Sequence, residues 1–135
     1  MTTPIDELKG ITEGIVAAMK AKGISDNEQL VDAAATPAQR QALAADCACD
    51  ARDILQLVNR ADLARIKGVS GVYSDLLEHA GVDTVKELAT RRPDNLHAKL
   101  TDTNAGIGLT QKPPTAAQVA EWIAQAQALP KTLSY

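Results

Sequence analysis

The pattern Leu8-Lys9-Gly10-Ile11-Thr12, closed by Gly23-Ile24, returns 58 positions later as Ile66-Lys67-Gly68-Val69-Ser70, closed by Gly81-Val82. A glycine between apolar residues, with a second glycine and an apolar residue about a dozen positions on, is the spacing of two short helices joined by a tight turn. Its recurrence predicts a duplicated helix-hairpin-helix. Asp26-Asn27-Glu28-Gln29 and Thr84-Val85-Lys86-Glu87 supply a helix start at equivalent places in the two copies, and Leu30 pairs with Leu88.

Strand signals are scarce, because few segments alternate in period two or gather β-branched and aromatic residues, whereas caps precede most apolar-periodic segments. The expected class is all-α: tandem, pseudo-duplicated helix-hairpin-helix repeats packed into one compact helical domain. Thr36-Pro37-Ala38-Gln39 combines an N-cap, a first-turn proline and a glutamine that caps back. Asp50 starts a helix whose Ile54, Leu57 and Val58 form one stripe, and Thr115 with Gln118 starts the last, whose Val119, Trp122, Ile123 and Ala126 form another. Between them lie a helix from Pro93 to about Leu100, a glycine-rich loop from Asn104 to Gly108, and Pro113-Pro114. The expected organisation is a divergent first repeat over 1–59, a second repeat with a C-terminal capping helix over 60–130, and a frayed tail over 131–135.

The 135 residues include 45% apolar side chains but only 2% aromatic ones and no Phe, so the core is built from Leu, Ile, Val and Ala. The formal charge of −3 has the wrong sign for a surface that attracts phosphate throughout. Residues 1–59 carry five basic and nine acidic side chains against nine and eight in the remainder, which assigns any anion-facing surface to the second half. The first residues show no basic segment followed by an apolar run, and no apolar stretch approaches the roughly 20 residues that cross a bilayer. The expectation is a cytoplasmic protein with no membrane partner.

A phosphate-binding hairpin wants a Gly-hydrophobic-Gly turn with free amides and a basic residue soon after. Here Thr12 and Ser70 occupy the second glycine position, Gly14 and Val72 the basic one, and Glu13 adds negative charge. The residues that favour a nucleic-acid contact are Arg60, Arg65 and Lys67, with Gly68, Ser70, Gly71 and Val72 supplying the turn and its amides. Cys47 and Cys49 are too few and too closely spaced for a zinc centre, and a Cys-x-Cys disulfide closes a short, strained ring, so reduced thiols and no metal are expected. Trp122 reads as a core anchor and His97 as a residue beside the core. No Ser/His/Asp, Cys/His or paired-carboxylate arrangement is evident, nor a phosphate-cradling loop, so neither catalysis, a cofactor nor a small-molecule substrate is expected.

Residues 63 to 129, through Ile66-Lys67-Gly68-Val69, Ala80 to Ala89, Asn95-Leu96-His97-Ala98-Lys99-Leu100 and Val119-Ala120-Glu121-Trp122-Ile123, closely resemble the bacterial domain of unknown function 4332. Gly23-Ile24 with Leu30 also resembles the pseudo-hairpin in the carboxy-terminal domain of the α chain of RNA polymerase. Members of the first family typically carry Gly-Ile-Gly-Pro-Lys-Tyr where this chain has Gly68-Val69-Ser70-Gly71-Val72-Tyr73, so the lysine that would meet a phosphate is absent. The resemblance implies a fold and assigns no activity. Two readings follow from the residues: a non-catalytic adaptor that binds a protein partner or a second copy of itself, and sequence-independent binding of DNA or RNA backbone by the second hairpin. Metal capture by Cys47 and Cys49 is a third, less favoured one.

Overall fold

The computed structural model describes residues 2–69 and 71–135. Among them the chain is all-helical, and its one strand-like feature is an isolated bridge between Pro4 and Asp26. It divides into two units, Met1–Arg65 with Thr132–Tyr135, and Ile66–Lys131. A boundary between 59 and 60 would cut a helix, because the stripe beginning at Ile54 continues through Ala61 to Leu63.

The first unit opens with a 3-10 turn, Ile5–Glu7, followed by α1 (Glu13–Ala21), α2 (Asn27–Ala33), α3 (Pro37–Asp46) and α4 (Ala51–Leu63). Each start has a local cause. The Thr12 hydroxyl accepts from the Ile15 amide, Asp26 accepts from the Gln29 amide, and Thr36 and Gln39 form a reciprocal capping box across Pro37 at the first helical position. α4 packs against α2 and α3 and seals a core of Ile5, Met19, Leu30, Val31, Leu43, Ile54 and Val58. Asn27, fully buried, ties three segments together: its Oδ1 accepts from the Thr3 amide, its own amide donates to the Thr3 carbonyl, and its Nδ2 donates to the Ala61 carbonyl. Both ends of the buried Asn27 side-chain amide are thereby paired.

The last residues, read from sequence as a frayed tail, make defined contacts with the first unit. Leu133 packs against its core, the Ser134 amide donates to the Ala35 carbonyl at 2.8 Å, and the Tyr135 hydroxyl reaches Asn59. Arg40 explains the difference. Its buried guanidinium donates to the carbonyls of Ala34, Ala35 and Ser134 and lies 5.5 Å from the Tyr135 ring centroid. A short polar tail has no local signal for such an anchor, which sits 94 residues away in the chain.

The second unit contains α5 (Gly71–His79), α6 (Val85–Ala89), α7 (Pro93–Ile107) and α8 (Ala116–Ala128). α8 packs on α6 and α7, and Leu76, Leu77, Val82, Leu88, Leu100, Val119, Trp122 and Ile123 are buried. The segment from Asn104 is helix and not the expected glycine-rich loop. α7 runs seven residues past Leu100 and ends at Gly108, whose φ of +65° caps it in the left-handed conformation. Asn104 makes the extension possible, since its side chain donates to the Thr110 carbonyl and accepts from the Thr110 amide, which holds the chain as it leaves the helix.

Both units follow each turn with the same backbone bonding. Ile11 donates to Leu8 and Val69 to Ile66; Ile24 donates to Met19 and Val82 to Leu77. Gly10, Gly23, Gly68 and Gly81 all have φ between +83° and +93°, a region open to glycine and costly for other residues. These four positions are the recurrent glycines of the sequence pattern.

Candidate functional site

The two turns differ in what surrounds them. In the second unit the turn is occupied by the protein's own side chains. The Lys67 amide donates to Gln125 Oε1 at 2.8 Å, and Gln125 Nε2 donates back to the Lys67 carbonyl at 3.2 Å, so one side chain of α8 holds both backbone polar groups of that residue. A side-chain carbon at Gly68 would stand 3.1 Å from Trp122 Nε1. The glycine that leaves room for a phosphate in a nucleic-acid-binding hairpin here leaves room for an indole.

The remaining residues singled out at this turn fall in different environments. Arg65 belongs to the first unit; its side chain is only 9% exposed and pairs at 2.9 Å with Asp62, itself 5% exposed. It is a structural arginine, not a surface cation. Arg60 is half-buried in the last turn of α4. Lys67 has an exposed side chain. Gly71 is exposed at the start of α5, and Val72 is 47% exposed, an apolar side chain where a phosphate contact would want charge. Ser70 lies outside the described residues.

In the first unit the equivalent turn borders an open cavity of about 400 Å³, within the size range of small-ligand sites. It is lined by Lys9, Gly10, Thr12 and Gly14 from the turn and the start of α1, by Ile15 and Leu57 as apolar side chains, and by Cys47 to Cys49 with Asp53 and Gln56. A Cβ at Gly10 would meet no atom within 4 Å. Sequence reasoning missed this cavity because each lining residue looks ordinary by itself. The signal available was a comparison of the two recurring segments, in which Tyr73 and Trp122 of the later one align with the aliphatic Ile15 and Leu57 of the earlier one.

Cys47 and Cys49 are free thiols in that lining, Cys47 buried and Cys49 half-buried. Ala48 between them has φ +54°, the only non-glycine residue of positive φ among the described residues, and it follows the end of α3 as the Cys49 amide reaches back to the Ala44 carbonyl. Burial is the main cause that raises the Cys47 thiol above its ordinary value of 9.0; Cys49 and Asp46 add to it while Lys22 opposes. Burial raises Cys49 too, helped by Asp53 and Asp50. Both are protonated at neutral pH and poor nucleophiles. Among the described residues no group of three or more His, Cys, Asp or Glu is placed to hold a metal ion.

The family model described as Domain of unknown function (DUF4332) matches residues 9–129. The chain belongs to that family. The match begins at the first turn, so the DUF4332 domain takes in both units and not only the residues from 63 onward that carry the clearest likeness in sequence. Searches of curated proteins and of solved structures found no match. No helix among the described residues is long and apolar enough to cross a membrane.

Proposed function

We propose that this DUF4332 chain is a non-catalytic binding module of duplicated helix-hairpin-helix type, acting as an adaptor for a protein partner, with its binding surface at the first turn. The observation that carries this reading is the contrast between the turns: Trp122 stands against Gly68, while a Cβ at Gly10 would meet nothing within 4 Å and the turn borders the open cavity. A phosphate-binding hairpin needs free amides and a close backbone approach. The Lys67 amide and the space over Gly68 are already used, and the thiols beside the cavity are held protonated, which argues against both backbone recognition at the second turn and thiol chemistry at the first.

The test has two arms. A labelled DNA duplex and a single strand are titrated with the protein by fluorescence anisotropy at about 50 and about 200 mM salt, the range over which phosphate contacts lose most affinity. No salt-sensitive binding is expected; tight binding that collapses with salt and disappears in Lys67→Glu would replace the adaptor reading with the nucleic-acid one. In the second arm a photo-crosslinking residue is placed at Gln56, on the cavity wall, and in a control at exposed Glu121 on α8. A defined protein adduct from position 56 and none from 121 is expected. Equal labelling from both would remove the argument for the first turn.

A further inference from the structure

Two residues that line the cavity of the first unit, Ile15 and Leu57, correspond in sequence to a pair of aromatic residues in the second. Counted from the turn glycines, Ile15 corresponds to Tyr73 and Gly14 to Val72, since each pair is 58 positions apart. Counted from the helix caps, Leu57 lies seven residues after Asp50 and Trp122 seven after Thr115. The α4 stripe Ile54, Leu57, Val58, Ala61 matches the α8 stripe Val119, Trp122, Ile123, Ala126 position for position. In the second unit the Tyr73 and Trp122 rings stand with centroids 5.3 Å apart, tilted by 52°, the Tyr73 hydroxyl donates to the Lys112 carbonyl, and the indole is 2% exposed with its Nε1 against Gly68. The first unit keeps the turn, the glycine conformation and the helix, and has the aliphatic Ile15 and Leu57 at the positions of those rings, with Gly14 at the position of Val72.

We propose that the first-unit cavity receives a planar aromatic group from outside the chain, an indole-type ring seated between Gly10 and Leu57 as Trp122 is seated against Gly68. A space left by smaller side chains with apolar lining favours a ring of the missing size, because the ring recovers dispersion contacts and removes apolar surface from water. Ile15 and Leu57 supply apolar lining, Gly14 adds no side chain to it, and the Gly10 turn offers a ring N–H the approach that Gly68 offers Trp122. The same chemistry belongs to a free aromatic small molecule and to a tryptophan side chain of a protein partner. The inference deepens the binding-module reading and rests on it.

The experiment is an amide-resolved NMR titration of the full chain with indole and, separately, with N-acetyl-tryptophanamide. Saturable shifts are expected at Gly10, Gly14 and Cys49, with a Kd on the order of 1 mM for so small a ligand. Equal binding of the two probes assigns the site to a partner's side chain, and binding of indole alone assigns it to a free ring. Leu57→Trp is expected to fill the cavity from within: the new indole emits as a buried one, Tm rises by about 4 °C, and indole binding weakens at least tenfold. If that variant does not fold, Gly14→Val adds a side chain to the same lining, and Trp122 fluorescence reports the integrity of the second unit. Absence of saturable shifts, or undiminished indole binding in a folded Leu57→Trp protein, overturns the inference. The DNA and crosslinking arms above do not depend on either ligand, so the two readings fail separately.

Discussion

Gly68 faces the indole of Trp122 so closely that a single added carbon would lie 3.1 Å from Nε1, whereas Gly10, with almost the same φ, has nothing within 4 Å of that position. The two glycines share a conformational requirement and differ in a packing one. Each φ, +93° and +89°, is unfavourable for an L side chain, and only at Gly68 would the added carbon also press on a neighbour, which must give by a few tenths of an ångström.

Gly10→Ala is therefore expected to cost about 1 kcal/mol, the penalty of the left-handed conformation alone, and Gly68→Ala about 2–3 kcal/mol. Urea unfolding measures both. Equal costs would mean that Trp122 moves aside freely. Trp122 emission follows the same variants and is expected to shift only in Gly68→Ala.

Arg65 and Asp62 make a nearly buried ion pair, and breaking such a pair costs more than its formation gains, because the partner charge stays buried. Arg65→Glu is expected to destabilise the first unit by about 3 kcal/mol or more, while Lys67→Glu, on an exposed side chain, changes stability by less than about 0.5 kcal/mol. Thermal unfolding of the two variants checks this. It also makes Lys67, and not Arg65, the proper probe of nucleic-acid binding.

The Cys47 and Cys49 thiols sit above their ordinary value of 9.0, chiefly through burial. The folded state holds these protons more tightly than the unfolded chain, so stability linked to them is intact below that value and falls as pH rises through it. A thiol-disulfide reagent is expected to react slowly at pH 7 and faster above about pH 9, with Cys49 ahead of the more buried Cys47. Rapid modification of both at neutral pH would contradict the burial of Cys47.

Removal of residues 132–135 takes away the Ser134 carbonyl that Arg40 donates to and the Tyr135 ring beside it. The truncated chain is expected to lose about 1–2 kcal/mol, read as a drop in urea midpoint. Hydrogen exchange is expected to quicken at the start of α3, where Arg40 lies. An unchanged midpoint would show that Arg40 finds equivalent partners among the carbonyls it already holds, Ala34 and Ala35.

Local pattern suffices for most of the secondary structure. Thr12, Asp26, Thr36, Thr84 and Thr115 cap helices because a short side chain before an apolar-periodic run satisfies amides within three residues. The four glycines recur because the turns need positive φ. Where sequence reasoning stops short, the deciding partner is one that no local pattern marks. Asn104 has the character of a loop residue, yet its bonds to Thr110 extend α7. The last residues have the character of a free tail, yet Arg40 holds them. Arg65 has the character of a surface cation, because nothing in a sequence states that Asp62, one turn earlier, is buried beside it.

The sequence by itself determined that the chain is helical, where its helices start, and that two glycine turns recur, since caps, periodicity and backbone conformation are set by neighbours within a few residues. Only the tertiary structure decided what each turn faces. That depends on which side chain of a helix some 50 residues away comes to rest against it: Trp122 stands against Gly68, and Leu57 leaves the space beside Gly10 unfilled. Close packing tolerates neither an extra carbon nor an unfilled ring's volume without consequence, so a few substitutions between otherwise matching elements separate a sealed core from a cavity.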